Sequence, residues 1–467
     1  MEFPYGKAPF AILLVAILSG VGLLVSHTGS GADSRRPDLI FATFTKEHAA
    51  AYKPAIEKFE KDHNVKIQLQ VVDQRALQGR LQSAMSVGAA VPDMVELLDG
   101  TMGIFCRGKV EDIGFVDLTE KVHAQLIDGK PLYDSLVQSR FTKWSSRGHI
   151  FALPHDVHPM MLCYRRDLVE QLGIDVTKIR TWDDFSRIGR EVVTRDLDGD
   201  GVNDRYMIDF PVSEPWALRA LILQRGVGLV DETGAAAFDD PRAVDVVCWY
   251  IKQIQGKDRI SFPCGWGQNL AKSMLDGLCL FYICPDWRTS QFQMDIASAS
   301  GKLALMPLPA WEEGGIRTST WGGTGLAFTK QSKNFDLAWR LAMHLYYDPR
   351  QLGPRFAATN ILPPLKTAWT QPQFSEPRAF YSGIAIGKAF ADLADQVPQE
   401  QSSAYMQMTE GKLVEAFVNC KIFYEQHGDA GLREYAQQEL KRCADRVRAV
   451  VDRNVFIKQD LEQEAGK

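Results

Sequence analysis

The sequence lacks an excess of basic charge. Lysine and arginine together number 53 and aspartate and glutamate 58, which gives a formal net charge of −5. A protein that neutralises a phosphate backbone needs a surplus of basic side chains. The composition therefore excludes general nucleic-acid binding.

The short signatures of several large enzyme classes are also missing. The chain contains no Gly-x-Ser-x-Gly, no phosphate-binding P-loop, no His-Glu-x-x-His and no Rossmann glycine pattern. These absences disfavour nucleophile-elbow hydrolases, P-loop nucleotidases, zinc proteases of the helical type and dinucleotide-dependent enzymes.

Long apolar runs are scarce, and the one that is present lies at the N-terminus. Residues 10–25 carry no charge, but this run is shorter than the roughly 20 residues of a full membrane span. Residues 26–37 are rich in glycine and serine and are typical of a linker. We predict that residues 1–25 form an apolar helix that is either a cleaved signal peptide or a retained membrane anchor. Both place the rest of the chain in the periplasm or another extracytoplasmic space, whereas a buried core helix is a third interpretation.

Eight cysteines are present, but none forms a Cys-x-x-Cys pair, so their spacing gives almost no support for a zinc site. Disulfides are permitted outside the cytoplasm, and one bridge is expected within a cluster of four cysteines. The members of this cluster are Cys248, Cys264, Cys279 and Cys284. The alternative is that most of the thiols are small buried apolar groups, because a chain of 467 residues needs no cross-links.

The first hundred residues after the linker alternate between strand and helix patterns. Strands are predicted at 38–44, 66–73 and 92–98, and a helix that starts or bends near Pro54 separates the first two. Such a run predicts a parallel sheet with helices on both faces. Because ligands of these sheets bind at the carboxyl ends of the strands, the rule marks Thr45 and Asp99.

The rest of the chain continues the α/β pattern. Buried strands are predicted at 149–153, 159–164, 277–283, 303–306 and 325–329, and helices at 166–172, 182–193, 241–254 and 334–346. Much of 400–453 is also predicted to be helical. With 45% hydrophobic and 24% charged residues, this is the composition of a globular protein of several domain equivalents.

Five short stretches, in order, resemble the extracellular solute-binding proteins of ABC importers, specifically the sugar-binding group that includes maltose-binding protein. They are Phe-Ala-Thr-Phe-Thr at 41–45, Ala-Ala-Val-Pro-Asp-Met-Val at 89–95, Gly-His-Ile-Phe-Ala-Leu-Pro at 148–154 with Tyr-Arg-Arg-Asp at 164–167, Met-Pro-Leu-Pro at 306–309 with Trp-Gly-Gly-Thr-Gly at 321–325, and Leu-Pro-Pro at 362–364. Each is weak alone, but the order extends from about residue 38 to 370.

The resemblance implies an α/β fold of the second periplasmic-binding-protein type, with two lobes hinged around a cleft. The first lobe would comprise 38–154 plus about 306–350, and the second 155–305 plus about 351–460. The third crossing between lobes is placed only roughly, at 349–360.

The resemblance also implies a receptor rather than an enzyme. It would be a monomer that needs no cofactor, binds a carbohydrate between its lobes and delivers it to an ABC transporter permease. One alternative is a receptor of the same fold that binds a non-sugar solute, or one that serves a sensory partner instead of a transporter. A second is an exported glycoside-processing enzyme, for which Asp99 and Asp156 are the candidate carboxylates.

A sugar site needs aromatic rings for the C–H faces of the sugar, and charged or amide groups for its hydroxyls. The predicted ligand-binding residues are Thr45, Glu47, Asp99, His155, Asp156, Trp216, Asp286, Trp287, Arg288, Trp321 and Gly323. For the tryptophans, the alternative is packing in the core. For His155 and Asp156, it is a structural role in the hinge. Weaker candidates are Asp73, Trp266, Arg355 and Asn360.

An acidic turn at 196–204 has two interpretations. Asp196, Asp198, Asp200 and Asp204 match positions 1, 3, 5 and 9 of a calcium loop, but position 12 is Met207 instead of glutamate. The turn is therefore either a structural calcium site or a connector into the next strand.

Overall fold

A computed structural model describes residues 36–193 and 205–456. The predicted N-terminal apolar helix, nearly all of the linker and the acidic turn at 196–204 lie outside these ranges. Among the helices that are described, none combines the length and the apolar character required to cross a lipid bilayer.

The described strands fall into two five-stranded sheets and two short hairpins. In chain order they are β1 (Leu39–Thr43), β2 (Ile67–Val71), β3 (Met94–Leu98), β4 (Leu126–Ile127), β5 (Lys130–Pro131), β6 (Ser145–Ser146), β7 (His149–Ile150), β8 (Ala152–Pro154), β9 (Met160–Arg165), β10 (Tyr206–Asp209), β11 (Ser261–Phe262), β12 (Cys279–Pro285), β13 (Leu303–Pro307) and β14 (Thr324–Phe328).

The described helices cover the faces and ends of these sheets. In chain order they are α1 (Lys46–His63), α2 (Gln74–Ser86), α3 (Thr119–Ala124), α4 (Leu132–Ser135), α5 (Arg166–Gln171), α6 (Trp182–Val193), α7 (Trp216–Gln224), α8 (Pro241–Ile254), α9 (Gln268–Asp276), α10 (Asp286–Asp295), α11 (Phe335–Ala342), α12 (Pro349–Thr359), α13 (Pro372–Ser375), α14 (Ile386–Ala394), α15 (Met406–His427) and α16 (Leu432–Val451).

The first sheet has the strand order β2-β1-β3-β14-β8. Strand β1 pairs in parallel with both β2 and β3, in the registers Leu39↔Ile67 and Phe41↔Met94. This confirms the predicted parallel start of the chain. Strand β14 comes from more than 200 residues later and pairs antiparallel with β3 and β8, so a distant segment completes the sheet.

The second sheet has the order β11-β10-β12-β9-β13. Strand β10 is parallel to its two neighbours, whereas β9 lies antiparallel between β12 and β13. The C-terminal helices α15 and α16 pack on each other and on α8, so they extend the core on one face of this sheet. The α/β, two-lobed architecture is therefore confirmed.

The chain crosses between the sheets at least twice. It leaves the first sheet after Pro154 and enters the second at Met160, and it returns between Pro307 and Thr324. We call the first sheet with its packed helices the first lobe, and the second sheet with α5–α8, α15 and α16 the second lobe. The residue-level boundaries given above, including a third crossing at 349–360, stay predictions.

Two local predictions are corrected by the helices. Helix α1 begins at Lys46, where Thr45 caps it, so the predicted start near Pro54 is wrong, whereas a bend at Pro54 stays a prediction. A single proline removes only one internal hydrogen bond, so the helix continues through it. Trp216, for which no helix was predicted, is the first residue of α7.

All eight cysteines are buried free thiols. Within the predicted cluster, the Sγ atoms of Cys264 and Cys279 are 3.4 Å apart without a bond between them. The structure therefore holds the thiols as small buried groups, the alternative to the predicted bridge.

Candidate functional site

Four indole rings meet at the junction of the two lobes, and we call them the tryptophan cluster. Trp216 begins α7, Trp287 lies in the first turn of α10, and Trp266 precedes α9. Trp321 belongs to the segment that returns the chain from β13 to β14. Helix starts and a return segment thus bring together side chains that are up to 105 residues apart in sequence.

The rings of the cluster lie in direct contact. Trp216 and Trp321 are stacked with centroids 3.9 Å apart and an angle of 5° between their planes. Trp266 lies 6.0 Å from Trp216 and 5.6 Å from Trp321, and Trp287 meets Trp321 edge-on at 5.1 Å. Trp266 is 40% exposed. The cluster is therefore an aromatic surface open to solvent, not a sealed core.

Hydrogen bonds hold the indoles in fixed orientations. The Nε1 groups of Trp216 and Trp266 both donate to Oε2 of Glu214, at 3.1 Å and 2.9 Å. Trp287 Nε1 donates to the Trp321 carbonyl at 3.1 Å. Glu214 was not predicted, because nothing in its sequence neighbourhood distinguishes it from a solvated loop glutamate.

A buried guanidinium lies against the cluster. The Cζ atom of Arg288 is 5.7 Å, 5.1 Å and 5.5 Å from the ring centroids of Trp216, Trp266 and Trp321. Its Nη1 donates to the Ile283 carbonyl at 2.8 Å, but its Nε and Nη2 are buried and have no partner among the described residues. Burial lowers the pKa of Arg288 from its usual value. The site therefore offers unused, charged donors beneath aromatic faces.

Next to the cluster, five charged residues join the lobes; we call them the interlobe network. They are Asp99, Lys143, Arg219, Glu400 and Glu410. Lys143 of the first lobe contacts Asp99 at 3.1 Å and Glu400 at 2.8 Å. Arg219 of α7 contacts Asp99 at 3.1 Å, Glu410 of α15 at 2.5 Å, and also Glu400.

The two glutamates of the network respond differently to burial. Burial favours the neutral form of both, but at Glu400 the charges of Arg219 and Lys143 outweigh it and hold the pKa well below its usual range. At Glu410 burial dominates, and the nearby carboxylates add to it, so the pKa is raised. Asp99 is the predicted site residue that the structure brings into this network.

Three other predicted residues are buried where the chain crosses between the lobes. Oδ2 of Asp156 accepts hydrogen bonds from the rings of His155 and His158 and from the Thr324 amide, at 3.1 Å, 3.2 Å and 2.9 Å. Asp286 contacts His158 at 2.6 Å and accepts from the Leu362 amide at 2.7 Å. His155, Asp156 and Asp286 are at most 1% exposed. These contacts at the strand crossings fit the structural hinge role that was the alternative for His155 and Asp156, and direct contact of the three residues with a ligand stays a prediction.

His158 joins two of those carboxylates. Burial alone would lower its pKa, but the charges of Asp156 and Asp286 outweigh burial and raise the pKa to about 9. His158 was not predicted as a site residue, because it lies in a connector without a recognised motif.

The remaining predicted residues have local structural explanations. The Thr45 hydroxyl accepts from the His48 amide at 3.0 Å as the cap of α1, and Glu47 is exposed in the same helical turn. Gly323 has φ +149°, and a Cβ atom there would lie 2.8 Å from Nη2 of Arg140. Close packing with that arginine therefore accounts for the glycine, whose carbonyl also accepts from the Asp99 amide.

The less favoured candidates are separate from the cluster or at its edge. Trp266 belongs to the cluster, whereas Asp73 caps α2. The side-chain amide of Asn360 donates a hydrogen bond to Oε1 of Gln293 at 2.7 Å, and Arg355 donates to the Leu345 carbonyl at 2.7 Å.

A cavity of about 470 Å³ opens beside the interlobe network. Its walls include Phe141 and Thr142 of the first lobe and the segment 401–404 that follows Glu400. None of the predicted ligand residues lines it. The cavity therefore lies next to the lobe junction but is not lined by the tryptophan cluster.

Comparison with known proteins supplies the context for this site. The family described as bacterial extracellular solute-binding protein matches residues 54–381, more than half of the chain. An arabinooligosaccharide-binding protein of Halalkalibacterium halodurans is 24% identical over 413 residues, covering 86% of this chain and 89% of that protein. The protein of the same name from Bacillus subtilis is 24% identical over 395 residues, covering 83% and 87%.

A solved structure shows the same fold. The sugar-binding protein MalE from the phytopathogen Xanthomonas citri matches with a TM-score of 0.71 at 18% identity, over 90% of this chain and 99% of that chain. The two-lobed architecture is therefore the one found in that protein.

Proposed function

The chain belongs to the bacterial extracellular solute-binding proteins, and from that premise we propose that it is an exported receptor for a carbohydrate. It binds the sugar between its lobes and presents it to the permease of an ABC transporter. The observation that carries this proposal is the tryptophan cluster over the unpartnered donors of Arg288.

The chemistry of the cluster suits a sugar better than an ion or an apolar solute. Indole faces cover the C–H faces of a pyranose or furanose ring, and the Nε and Nη2 groups of Arg288 donate to hydroxyl oxygens. A hydroxyl acceptor would also satisfy donors that are now buried without a partner.

Binding requires the stacked rings to separate. At 3.9 Å the faces of Trp216 and Trp321 are already in contact. A sugar ring between them needs about 7–8 Å, which is twice an ordinary van der Waals separation. Both rings pack on the core of the second lobe, and Ser319 of the return segment donates to the Ala220 carbonyl of α7 at 2.6 Å. Opening this space therefore requires one of the two indole side chains to rotate away, in addition to any motion of the lobes.

Arabinose-containing oligosaccharides are the first ligands to test, since the two relatives are named for binding them. An oligosaccharide also fits the extent of the cluster, in which Trp266 and Trp287 flank the central stacked pair.

No bond is made or broken in this proposal. Glycoside hydrolysis needs two carboxylates facing the substrate. Asp99 is held by Lys143 and Arg219, and Asp156 is buried among histidines. Because both carboxylates are engaged in these contacts, we do not favour the alternative of a glycoside-processing enzyme.

The wider setting follows the family. We propose that residues 1–25 direct export, either as a cleaved signal or as an anchor in the inner membrane, and that the receptor acts as a monomer. A structural calcium ion at 196–204 remains a proposal, and the mass of the exported protein together with its calcium content would test both points.

The test is calorimetric titration with arabino-oligosaccharides, maltose and galactobiose, with reducing ends assayed in parallel. One sugar class should bind with 1:1 stoichiometry and release no reducing ends. Trp321→Ala should weaken that binding by about 30-fold, the loss of roughly 2 kcal/mol expected when a central aromatic contact is removed. Trp369→Ala, which removes a half-buried indole outside the cluster, is the matched control and should bind as the parent does.

Two results would contradict the proposal. One is a panel in which no sugar binds or raises the melting temperature at millimolar concentration. The other is the release of reducing ends that disappears in Asp156→Asn, since that would restore the enzyme alternative.

A further inference from the structure

A second polar cluster lies in the first lobe, away from the tryptophans and sealed from solvent. It consists of His48 on α1, Glu96 in the middle of β3, and His155 directly after β8. One nitrogen of each imidazole and one oxygen of Glu96 all lie within 4.8 Å of one another. The three residues are 6%, 0% and 1% exposed.

Most of this cluster is explained by internal hydrogen bonds. Oε1 of Glu96 accepts from the hydroxyls of Tyr52 and Tyr346 at 2.6 Å and 2.5 Å. Oε2 contacts the Thr43 hydroxyl at 2.5 Å and Nδ1 of His48 at 3.0 Å. The carboxylate is therefore surrounded by donors and fixed in orientation.

One atom is not explained by that arrangement. His155 faces the Asp156 carboxylate through Nδ1, at 3.1 Å, so Nδ1 carries the proton. Nε2 then presents a lone pair, and this atom is buried with no hydrogen-bond partner among the described residues. The His155 ring lies 4.5 Å from the ring of His48. An unused nitrogen lone pair thus lies in the same buried cluster as a second imidazole and a carboxylate.

We propose that His48, Glu96 and His155 bind a divalent transition-metal ion of the zinc type. Two imidazole nitrogens and one carboxylate oxygen are a ligand set that zinc accepts. With bond lengths of about 2.0–2.1 Å, tetrahedral ligands lie about 3.3 Å apart. His48 Nδ1 and Glu96 Oε2 are already 3.0 Å apart, and all three donors lie within 4.8 Å, so side-chain shifts of up to about 1.5 Å would bring the His155 nitrogen to the ligand spacing.

The surroundings resemble an outer shell built for a metal. A carboxylate that accepts from the far nitrogen of a ligand histidine fixes its tautomer and strengthens it as a donor, and Asp156 does this for His155. The two tyrosines orient the glutamate in the same way. The positive charge of Arg355 lies 5.8 Å from the ring centroids of both tyrosines, and its Nη1 donates to the Leu345 carbonyl at 2.7 Å.

A purely structural hydrogen-bond centre is the competing explanation. It accounts for Glu96 but leaves Nε2 of His155 without a role. The site is sealed in the folded protein, so an ion has to enter during folding, before the first lobe closes around it. The test therefore loads the metal by refolding.

The experiment uses the whole chain without an affinity tag, unfolded with a chelator and refolded with or without Zn²⁺ under a phosphine reductant. After gel filtration, elemental analysis should find one zinc per chain and a higher melting temperature than in the zinc-free sample. Co²⁺ in place of zinc should give the visible bands of a tetrahedral nitrogen–oxygen site without a thiolate charge-transfer band.

Variants locate the ion. His155→Ala should lower zinc affinity by more than about 100-fold, because loss of an outer-shell partner alone costs 10–100-fold. His149→Ala, which removes an exposed histidine paired with Asp117, should retain one zinc per chain. Cys443→Ser tests the other described cluster of potential ligands, formed by Glu415, Glu439 and Cys443, and should also retain it.

The proposal is overturned if the refolded parent chain, folded by circular dichroism, retains no zinc. It is equally overturned if zinc is lost in Cys443→Ser, or if the cobalt spectrum shows thiolate ligation. Because the parent chain alone decides the first outcome, a variant that fails to fold leaves the test intact. Sugar binding is measured separately and does not depend on the result.

Discussion

The carboxylates of this protein occupy two contrasting settings. Glu96 is fully buried within one lobe and contacts three hydroxyls and one imidazole. Glu400 is held by Lys143 and Arg219, side chains that come from different lobes. The first setting is a fixed centre inside one rigid body, and the second is a contact between two bodies.

The difference lies in what happens when the contact is broken. A buried carboxylate without its donors has no water to replace them, so the cost is that of an uncompensated charge. In the interlobe network Glu400 is itself 6% exposed, but the side chains of Arg219 and Glu410 are 19% and 31% exposed, so water can reach the charges when the lobes part. Burial thus makes the Glu96 centre permanent, whereas partial exposure makes the network reversible, as a hinged receptor needs.

Glu96→Ala is the change that tests the permanent centre. It leaves three buried hydroxyls and an imidazole without their acceptor, and we expect a loss of about 3–5 kcal/mol in the free energy of unfolding. Chemical denaturation followed by circular dichroism measures it. Glu47→Ala, on the same lobe but exposed, should change the free energy by less than about 0.5 kcal/mol. If the two substitutions lowered the free energy of unfolding equally, burial would not distinguish Glu96 from an exposed carboxylate.

His158 lies between the two settings, since it is a buried cation in the segment that joins the lobes. Its folded-state pKa of about 9 lies above the ordinary 6.5, so it stabilises the fold while protonated. That contribution is complete below pH 6.5 and is lost as the pH rises through about 9. A shift of this size corresponds to about 3 kcal/mol.

The measurement is the free energy of unfolding between pH 6 and pH 10. We expect a decline in the parent chain that His158→Asn flattens, since asparagine tolerates the positive φ of 52° at this position. His149→Asn, at an exposed position, should keep the decline. A parent chain whose stability does not fall over this range would show that the pKa of His158 is not raised in the fold.

The order of the first strands and helices could be predicted because hydrophobic periodicity is a local signal. Ile67 and Leu69 alternate with polar residues, and that pattern gave β2 within two residues of its ends. The pairing of β3 with β14 had no local signal, because register between strands more than 200 residues apart is set by the closed fold. The start of α7 at Trp216 was missed because no capping side chain precedes it.

The same limit applies to the site. Tryptophans were predicted as site residues because a sugar site needs aromatic rings for the C–H faces of the sugar. Arg219 could have been found three residues after Trp216 on one helix face, had the helix been recognised. Glu400 could not, because it lies in a polar connector and acquires its role only through partners about 180 and 257 residues earlier in the chain, Arg219 and Lys143.

Arg219→Gln tests the reversible contact and should have the smallest effect on stability. Although Glu400 is buried, Lys143 still holds it and Asp99, and the third partner, Glu410, is 31% exposed, so we expect a loss of about 1–2 kcal/mol. The larger effect should be on the separation of the two lobes, since the removed side chain links α7 to Asp99 of the first lobe. X-ray scattering of the sugar-free protein should show a larger radius of gyration than in the parent chain. Arg242→Gln, which breaks an exposed pair with Asp240 inside the second lobe, is the matched control. If both variants scatter like the parent, the network does not hold the lobes together, and closure must come from the hinge contacts of Asp156 and Asp286.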